Sequence, residues 1–588
     1  MTIPLATRRT DVAPVHPMGS SARILLTSVF GPYAQDDEYG SRSINPMELY
    51  HNQVTRTQGV FSLRMFHRSW GLMLIQANIE APAALLDFPS LDRFIDEIEQ
   101  HDYDIVGISA IWPNLGKVEK MCALLREHMP RATIVVGGHV ASVPGLQETV
   151  GVDHVVQGDG VAWFRRFLGE DETAPIRHPM LLSGYGARTM GVTLSDRPSH
   201  TAATLIPSVG CPMGCNFCST SAMFGGKGNF VSFLDTGDEL FHVMCGLERA
   251  MRVQSFFVMD ENFLLYRKRA LRLLELMQEH GKSWSLYVFS SANALRQYTM
   301  EQLVGLGLAW LWIGLEGEDA EYSKLRRTDT RALVDELQSH GIRVLGSSIV
   351  GLLEHTLETT ETAIDHAVAH DTDFHQFMLY TPVPGTGLYT EHAAQGTLID
   401  ETECPAADSH GQLRFNFRHP HIRNGEETEL LLRAFRRDFE VNGPSVLRIA
   451  RTLLRGWMRH KHNPDVRIRA RYKRECRGLG TAYAGGLWAA ERWLVGNETL
   501  TRRLRALRRA LDAEFGLTSR IAAPVVGRVV LSRMRREQRR QESGWSCEPP
   551  TFYEVNPAEA ARRRHATLCR WVSSTPPSSD MAPAPELT

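Results

Sequence analysis

Three cysteines stand within eight residues of one another in the stretch SVGCPMGCNFCSTS: Cys211, Cys215 and Cys218, with the spacing C-x-x-x-C-x-x-C. A thiolate is a soft, anionic donor suited to iron and sulfide. Four thiolates saturate a 4Fe-4S cluster, so three leave one iron open. An open coordination position is where a metal centre does chemistry, because a reactant can bind there directly, whereas a fully ligated cluster mostly transfers electrons. Pro212 and Gly214 supply the turn that lets a single loop wrap a cubane. Zinc is the alternative for the same residues, but it usually takes two pairs of ligands, and no matching second pair lies nearby. The remaining cysteines, Cys122, Cys245, Cys404, Cys476, Cys547 and Cys569, are scattered without paired spacing. That distribution suits a reducing cytoplasm better than a disulfide framework.

A loop of this kind needs strands to hold it, and the sequence around it offers six. TLIPS precedes the cysteines, and SFFVMDENF is a buried run ending in Asp260, Glu261 and Asn262. SLYVFSSAN closes with Ser290, Ser291 and Asn293, and LAWLWIGLEG ends on Glu316. IRVLGSSIVGLLEHT closes with Gly351 and Glu354, and FHQFMLYTPVPGTGLY ends in a turn. Helical segments such as KRALRLLELMQEHGK and TRALVDELQSHG separate them. Polar residues at the carboxyl ends of parallel barrel strands are where catalytic groups gather, so these residues are expected at one mouth. Taken singly, each carboxylate reads equally as a helix cap or a solvated loop residue.

Upstream, RILLTSVF, DIVGISAI and ATIVVGGHV read as strands, separated by the helical patterns SLDRFIDEIEQ and KVEKMCALLREHMP. This alternation predicts an open parallel sheet covered by helices, receiving ligands at the carboxyl ends of its strands. Those ends carry Ser109, Trp112, Gly137, Gly138, His139, Gly158 and Gly160. Glycines there let a backbone approach a ligand closely, and they equally make simple turns.

The cysteine loop, with Phe217 before its third cysteine, closely resembles the radical S-adenosylmethionine superfamily, and the resemblance runs over roughly residues 200–395. It implies a 4Fe-4S cluster on Cys211, Cys215 and Cys218 and S-adenosylmethionine on the open iron, with Phe217 near the adenine. It assigns Asp260, Glu261, Asn262, Ser291, Asn293, Glu316, Ile349, Gly351 and Glu354 to the cosubstrate. The chain departs from the family where Ser347 replaces the first glycine of G-x-I-x-G-x-x-E. The order DIVGIS, GGHVAS, GDG over roughly residues 23–169 resembles the cobalamin-binding domain that precedes the barrel in many radical enzymes. It implies cobalamin held by Ser109, Trp112, Gly137, Gly138, His139, Gly158 and Gly160. No D-x-H-x-x-G occurs in this domain, so cobalamin is expected without a protein histidine ligand. Trp112 reads either as the cover of the cofactor's lower face or as a core aromatic.

The expected fold class is α/β: an N-terminal doubly wound, Rossmann-like cobalamin-binding domain, a partial (β/α)6 TIM-type barrel, and a C-terminal, mostly α-helical basic region. The expected bounds are a disordered 1–22, the cobalamin domain at 23–169, a linker at 170–199, the barrel at 200–395, the basic region at 396–572 and a disordered tail at 573–588. The expected reaction is methylation of an unactivated carbon through a 5'-deoxyadenosyl radical and methylcobalamin. The alternative is ring formation, rearrangement or carbon-carbon coupling without methyl transfer, and a non-catalytic cobalamin or redox sensor is a third reading.

Charge is unevenly distributed. Residues 431–542 hold 27 Lys plus Arg against 10 Asp plus Glu, in a chain of net charge -2. Leu500, Leu504, Leu507, Leu511 and Phe515 form one helical stripe, with Arg502, Arg503, Arg505, Arg508 and Arg509 elsewhere on the same helix. That stripe either docks on the protein itself or rests on an anionic membrane surface. Expected partners are therefore a small-molecule or lipid substrate, a reducing electron-donor protein and a peripheral membrane. Nucleic acid is not expected, since aromatic and basic residues do not interleave. The first 22 residues lack the apolar core of a signal peptide, so a cytoplasmic protein is expected, either free or peripheral to the membrane. His375, Gln376, Tyr380, Asp408 and His410 are further candidates for the substrate cavity.

Overall fold

The computed structural model describes residues 13–31, 39, 53–197, 200–315, 329–544, 549–563 and 566–575. The first sheet is built from β1 (Ile24–Ser28), β2 (Ala83–Asp87), β3 (Ile105–Ser109), β4 (Thr133–Gly137) and β5 (His154–Val155). These five run parallel in the order β2-β1-β3-β4-β5, with Ser28 opposite Ser109 and Ser109 opposite Gly137. The strand order reverses between β1 and β3, and a doubly wound sheet opens its ligand crevice at the carboxyl ends beside such a reversal. β1 and β2 are buried on both faces, as parallel strands under helices must be, while the short edge strand β5 is half-buried.

The barrel consists of β6 (Ala203–Leu205), β7 (Ser255–Val258), β8 (Ser285–Ser290), β9 (Leu308–Gly314), β10 (Arg343–Val350) and β11 (Phe374–Leu379). All six pair parallel in sequence order. Their two faces differ. Phe256, Val258, Leu286, Val288, Leu311, Ile313 and Val344 are fully buried against the helices. Tyr287, Phe289, Trp310, Trp312, Ser347, Ile349 and Met378, on the opposite face by alternation, are only half-buried. A closed eight-stranded barrel buries its interior side chains, whereas those of this six-stranded one stay partly exposed, and this inward side is its hollow face.

The C-terminal region is helical through Glu426–Asn442, Ser445–His460, Val466–Glu475, Ala484–Trp493 and the kinked Glu498–Glu542. Much of its basic charge is used internally. Arg448 pairs with Asp438, Arg508 with Glu491 and Asp512, and Lys461 with Glu514. Helix Val466–Glu475 closes the lower end of the barrel: Glu475 accepts from Ser285 Oγ at 2.7 Å on β8 and from Arg343 Nη2 at 2.7 Å on β10. Leu504 and Leu511 of the stripe are buried in the main core, Leu507 and Phe515 pack against it and Leu500 is buried as well, so of the two readings offered for the stripe, docking on the protein itself is the one the fold adopts.

Both described ends of the chain pack onto these domains. After residue 550 the chain returns to the first sheet, where β12 (Phe552–Val555) pairs antiparallel with β2 and, beyond the short helix Pro557–Ala560, β13 (Thr567–Leu568) pairs parallel with β12. Pairing covers the edge that β2 would otherwise expose. Trp571–Ser573 likewise pairs with Arg177–Pro179. Within the segment expected to be disordered at the start, residues 13–22 are described and include a turn at Gly19–Ser21, and His16 donates its N–H to the Phe167 carbonyl at 2.8 Å. The rest of 1–22 and residues 576–588 lie outside the described residues.

The linker is tied to the barrel by a buried neutral imidazole. His178 donates from Nδ1 to the Pro179 carbonyl at 2.9 Å and accepts the Ile206 N–H on Nε2 at 2.9 Å. Burial pushes its pKa down to about 4, and those of His370 and His460 likewise to about 4. With the folded value below the unfolded one, the unfolded chain takes up protons first. Stability is therefore full above pH 6.5 and falls as the pH drops toward 4, by roughly 3 kcal/mol for His178. Thermal midpoints of the cofactor-free chain should decline across that window, and His178→Gln should flatten the decline; an unchanged slope in the variant would contradict this assignment.

Candidate active site

The cysteine loop leaves the barrel just beyond β6 and is pinched at its base by antiparallel pairing of Ser208–Val209 with Val231–Ser232. Inside it, Cys218 donates its N–H to the Cys215 carbonyl at 3.1 Å, Ser221 Oγ donates to the Cys211 carbonyl at 2.8 Å, and the Ser221 N–H points at Cys218 Sγ at 3.5 Å. Gly214 has φ +67°, and a Cβ there would meet the Lys227 Cα at 2.6 Å, so only glycine allows the loop to close on itself. The three side chains are half-buried. Burial, reinforced by the neighbouring thiols and Glu261, pushes Cys211 up to about 11 and also raises Cys218. Three thiols on one tight loop, Cys211 and Cys218 raised by burial and the Ser221 amide turned toward the Cys218 sulfur, fit an iron-sulfur cluster whose binding displaces thiol protons.

The end of β7 sorts the DEN triplet into separate roles. Asp260 is buried and committed: it accepts from Ser208 Oγ at 2.8 Å, from the Asn262 N–H at 3.1 Å and from the Arg269 guanidinium. Asn262 is also committed, taking the Ser290 hydroxyl on Oδ1 and donating from Nδ2 to Ser291 Oγ, which laces β7 to β8. Glu261 differs. Its Oε2 is buried without a partner among the described residues, and burial together with Asp260 pushes its pKa up to about 7. Of the three, Glu261 is the one whose carboxyl is available to a ligand beside the cysteine loop.

The other cosubstrate candidates are placed as follows. Phe217 packs against the cluster formed by Val350 and Leu388. Asn293 is half-buried in the short helix Ala292–Leu295 that begins after Ser291. Ile349 is on the hollow face of β10, and Gly351, at φ +76°, presses on Phe415 in the turn that follows. Glu354 is exposed on that turn, which His355 pins by accepting the Gly351 and Leu352 N–H groups. Glu316 lies outside the described residues.

The two domains meet over a cavity of about 380 Å³. Ser109, Gly137, Gly138, His139, Gly158 and Gly160 line it from the sheet side, and Thr220, Met259 and Glu261 from the barrel side. His139 Nε2 lies 3.2 Å from Thr220 Oγ1, two residues beyond Cys218. Gly138, at φ +81°, leaves no room for a side chain, since a Cβ would stand 2.5 Å from the Ala110 carbonyl oxygen. The turn after β11 closes the junction: Gly385 packs on Ser142, and the Leu388 N–H bonds the Asn216 carbonyl of the cysteine loop at 3.0 Å.

Trp112 is not among the residues lining this cavity. It is buried in a cluster with Val140 and Ala406, the core position that was one of its two readings. His375 is also away from the hollow face: it points toward the helices, 3.2 Å from Thr372 Oγ1 and 3.0 Å from Ser348 Oγ, stacked on Phe377. Tyr380 belongs to the same helix-side core. Gln376 is on the hollow face of β11 by alternation, and Asp408 closes the short turn Ala406–Asp408. His410 has both ring nitrogens buried without partners among the described residues, and burial beside Arg56 pushes it down to about 3. Sequence reasoning missed Gly107 and Trp70, which also line the cavity. The glycine interrupting the apolar run of β3 was the available signal, because an isolated strand glycine marks a close approach.

Comparison with known proteins agrees with this division. The family model described as the B12 binding domain matches residues 57–168, and that of the Radical SAM superfamily matches residues 205–367. An uncharacterized methyltransferase of Pyrococcus horikoshii is 25% identical over 338 residues, covering 51% of this chain and 72% of that protein. The bacteriochlorophyllide d C-12(1)-methyltransferase of Chlorobaculum tepidum is 27% identical over 195 residues, 32% of this chain and 42% of its own length. The hopanoid C-2 methylase of Rhodopseudomonas palustris is 24% identical over 375 residues, 58% and 69% of the respective chains. The chain thus carries a B12 binding domain followed by a radical S-adenosylmethionine domain, and these two domains imply cobalamin, a 4Fe-4S cluster and S-adenosylmethionine as its cofactors.

Proposed function

We propose that this enzyme methylates an unactivated carbon of a small apolar molecule held against the inner wall of its barrel. The observation that carries the reading is the shared cavity, where the carboxyl ends of β3 and β4 and the residue after β7 face one space beside the cysteine loop. When bound, the three cofactors together supply hydrogen-atom abstraction from carbon and a transferable methyl group.

The chain's own residues do the positioning. Cys211, Cys215 and Cys218 would hold the cluster, leaving one corner for the amino and carboxylate groups of the cosubstrate, and Glu261 would accept from that amino group. Ser109, Gly137, Gly138, His139, Gly158 and Gly160 would hold cobalamin against the barrel. The hollow face supplies the substrate wall, where Phe257 lies 5.7 Å from Phe289, which lies 4.9 Å from Trp312 between ring centroids. His67 stacks on Phe257, and burial holds its imidazole neutral with a pKa of about 3. Arg343 at the base of the wall is neutralised by Glu475. An aromatic surface with its cation paired favours an uncharged, flat substrate. A reducing electron-donor protein is the required partner.

The test is anaerobic reconstitution with iron, sulfide and cobalamin, followed by mass analysis of candidate apolar substrates. Methylation requires a product heavier by one methylene and two S-adenosylmethionine consumed per turnover, one yielding 5'-deoxyadenosine and the other S-adenosylhomocysteine. A mass-neutral or hydrogen-losing product without methyl transfer would replace this reading by the ring-forming one. A second measurement isolates the cobalamin cavity. A Cβ on Gly107 would stand 3.0 Å from Leu26 and 3.2 Å from Phe164, so Gly107→Leu fills the cavity from below. Retained cobalamin should fall by about tenfold or more while iron per chain is unchanged; equal cobalamin in both proteins would count against the assignment.

A further inference from the structure

The helix Glu498–Glu542 changes character at Gly516, whose φ of 57° and ψ of -133° break it in two. Before the break its apolar stripe is buried. After it, one face is docked through small residues: Ser519, Ala523 and Gly527 are buried, and a Cβ on Gly527 would meet the Trp488 ring at 2.5 Å. The outward face of such a helix should be polar. It is not. Leu517, Ile521, Val525 and Val529 recur every fourth residue and are 72%, 64%, 57% and 55% exposed. Arg520 and Arg528 are exposed among them, and Arg533, Arg535, Arg536 and Arg539 are exposed over the next turns.

Four consecutive exposed aliphatic positions are more than the scattered surface apolar residues that need no explanation. The helix is long and apolar enough to cross a bilayer by length and composition. Crossing is nonetheless the poorer fit, because one face is already docked on protein and two arginines fall within the apolar stretch. An apolar stripe backed by cations matches a surface-lying helix, with aliphatic side chains dipping below the headgroups and guanidinium groups meeting anionic phosphates.

We propose that the outward face of the helix after Gly516 docks this enzyme on an anionic lipid membrane, with Leu517, Ile521, Val525 and Val529 inserted and the arginines at Arg520, Arg528, Arg533 and Arg536 on the headgroups. The charge complementarity selects lipid over a second copy of the chain, since two copies of this face would bring the same arginines together. The assignment stands apart from the reaction and needs no turnover to test.

The experiment is flotation of the full chain with phosphatidylglycerol-containing vesicles and with pure phosphatidylcholine vesicles, at low and high salt. The native chain should co-float with the anionic vesicles, and less so in high salt. Replacing Leu517→Ser, Ile521→Ser, Val525→Ser and Val529→Ser together should reduce the bound fraction by about tenfold or more, because each inserted side chain contributes through its buried apolar area. The replaced positions are exposed, so the thermal midpoint should be unchanged. A second variant, Arg533→Glu with Arg536→Glu, leaves the apolar face intact and should weaken binding to anionic vesicles selectively. The proposal is overturned if the native chain does not co-float, if both variants bind as it does, or if the serine variant instead converts a native dimer to monomer in sedimentation.

Discussion

Replacing Cys211, Cys215 and Cys218 together by alanine abolishes formation of 5'-deoxyadenosine and removes the cluster iron, while the chain stays folded and still takes up cobalamin. The expected drop is about 10³-fold or more, equivalent to at least about 4 kcal/mol of barrier, because among the described residues no other group of cysteines beside the cavity could hold the cluster that reduces the cosubstrate. Folding survives because the loop is closed largely by backbone bonds, such as Gly228 N–H to the Pro212 carbonyl and Cys218 N–H to the Cys215 carbonyl, and these need no thiol. Cobalamin uptake survives because its cavity is lined on the sheet side by β3, β4 and the loops after them. Iron counting and chromatography of the nucleoside products check the prediction. Undiminished iron and cosubstrate cleavage in the variant would end the cluster assignment.

Arg269→Ala has the largest expected effect on stability. Arg269 and Asp260 are an ion pair 4% and 1% exposed, and the guanidinium also donates to the Leu234 carbonyl at 3.2 Å and lies over the ring of Tyr266. Truncating the cation leaves a carboxylate uncompensated in the interior, which costs about 3–5 kcal/mol. Asp260→Asn should cost less, since its one amide oxygen can still accept from Ser208 and Arg269, although the Asn262 N–H then loses its acceptor. The contrast tests the role of Asp260. If its carboxylate held the cosubstrate rather than the fold, Asp260→Asn would raise the KM for S-adenosylmethionine and leave the denaturation midpoint in place.

This pair also shows where sequence reading stopped. Asp260, Glu261 and Asn262 are adjacent carboxyl and amide groups at a strand end, and nothing in their order tells which is committed. The decision lies with Arg269, nine residues on, whose helix brings its side chain back over the loop. The six barrel strands were legible because each apolar run is short, parallel and followed by polar residues, and the cysteine loop because its spacing is demanding. The strand Ala83–Asp87 was not read, since APAALLDF follows a helix that is itself apolar, and the two merge into one run without periodicity. The return of Phe552–Val555 to that strand was equally hidden, because an edge pairing 465 positions away leaves no local mark. The basic C-terminal helix was read only on its first half. Its apolar residues before Gly516 are the regular stripe a sequence displays, yet those are buried, and the exposed stripe begins only where the glycine restarts the helix.

The bottom of the barrel carries a consequence for traffic. Glu475, tied to Ser285 and Arg343, and Tyr472, bonded to the His340 carbonyl, plug that end with side chains that have no slack. A reactant passing that end would first have to break those bonds, which favours traffic through the opposite mouth, beside the cavity between the domains.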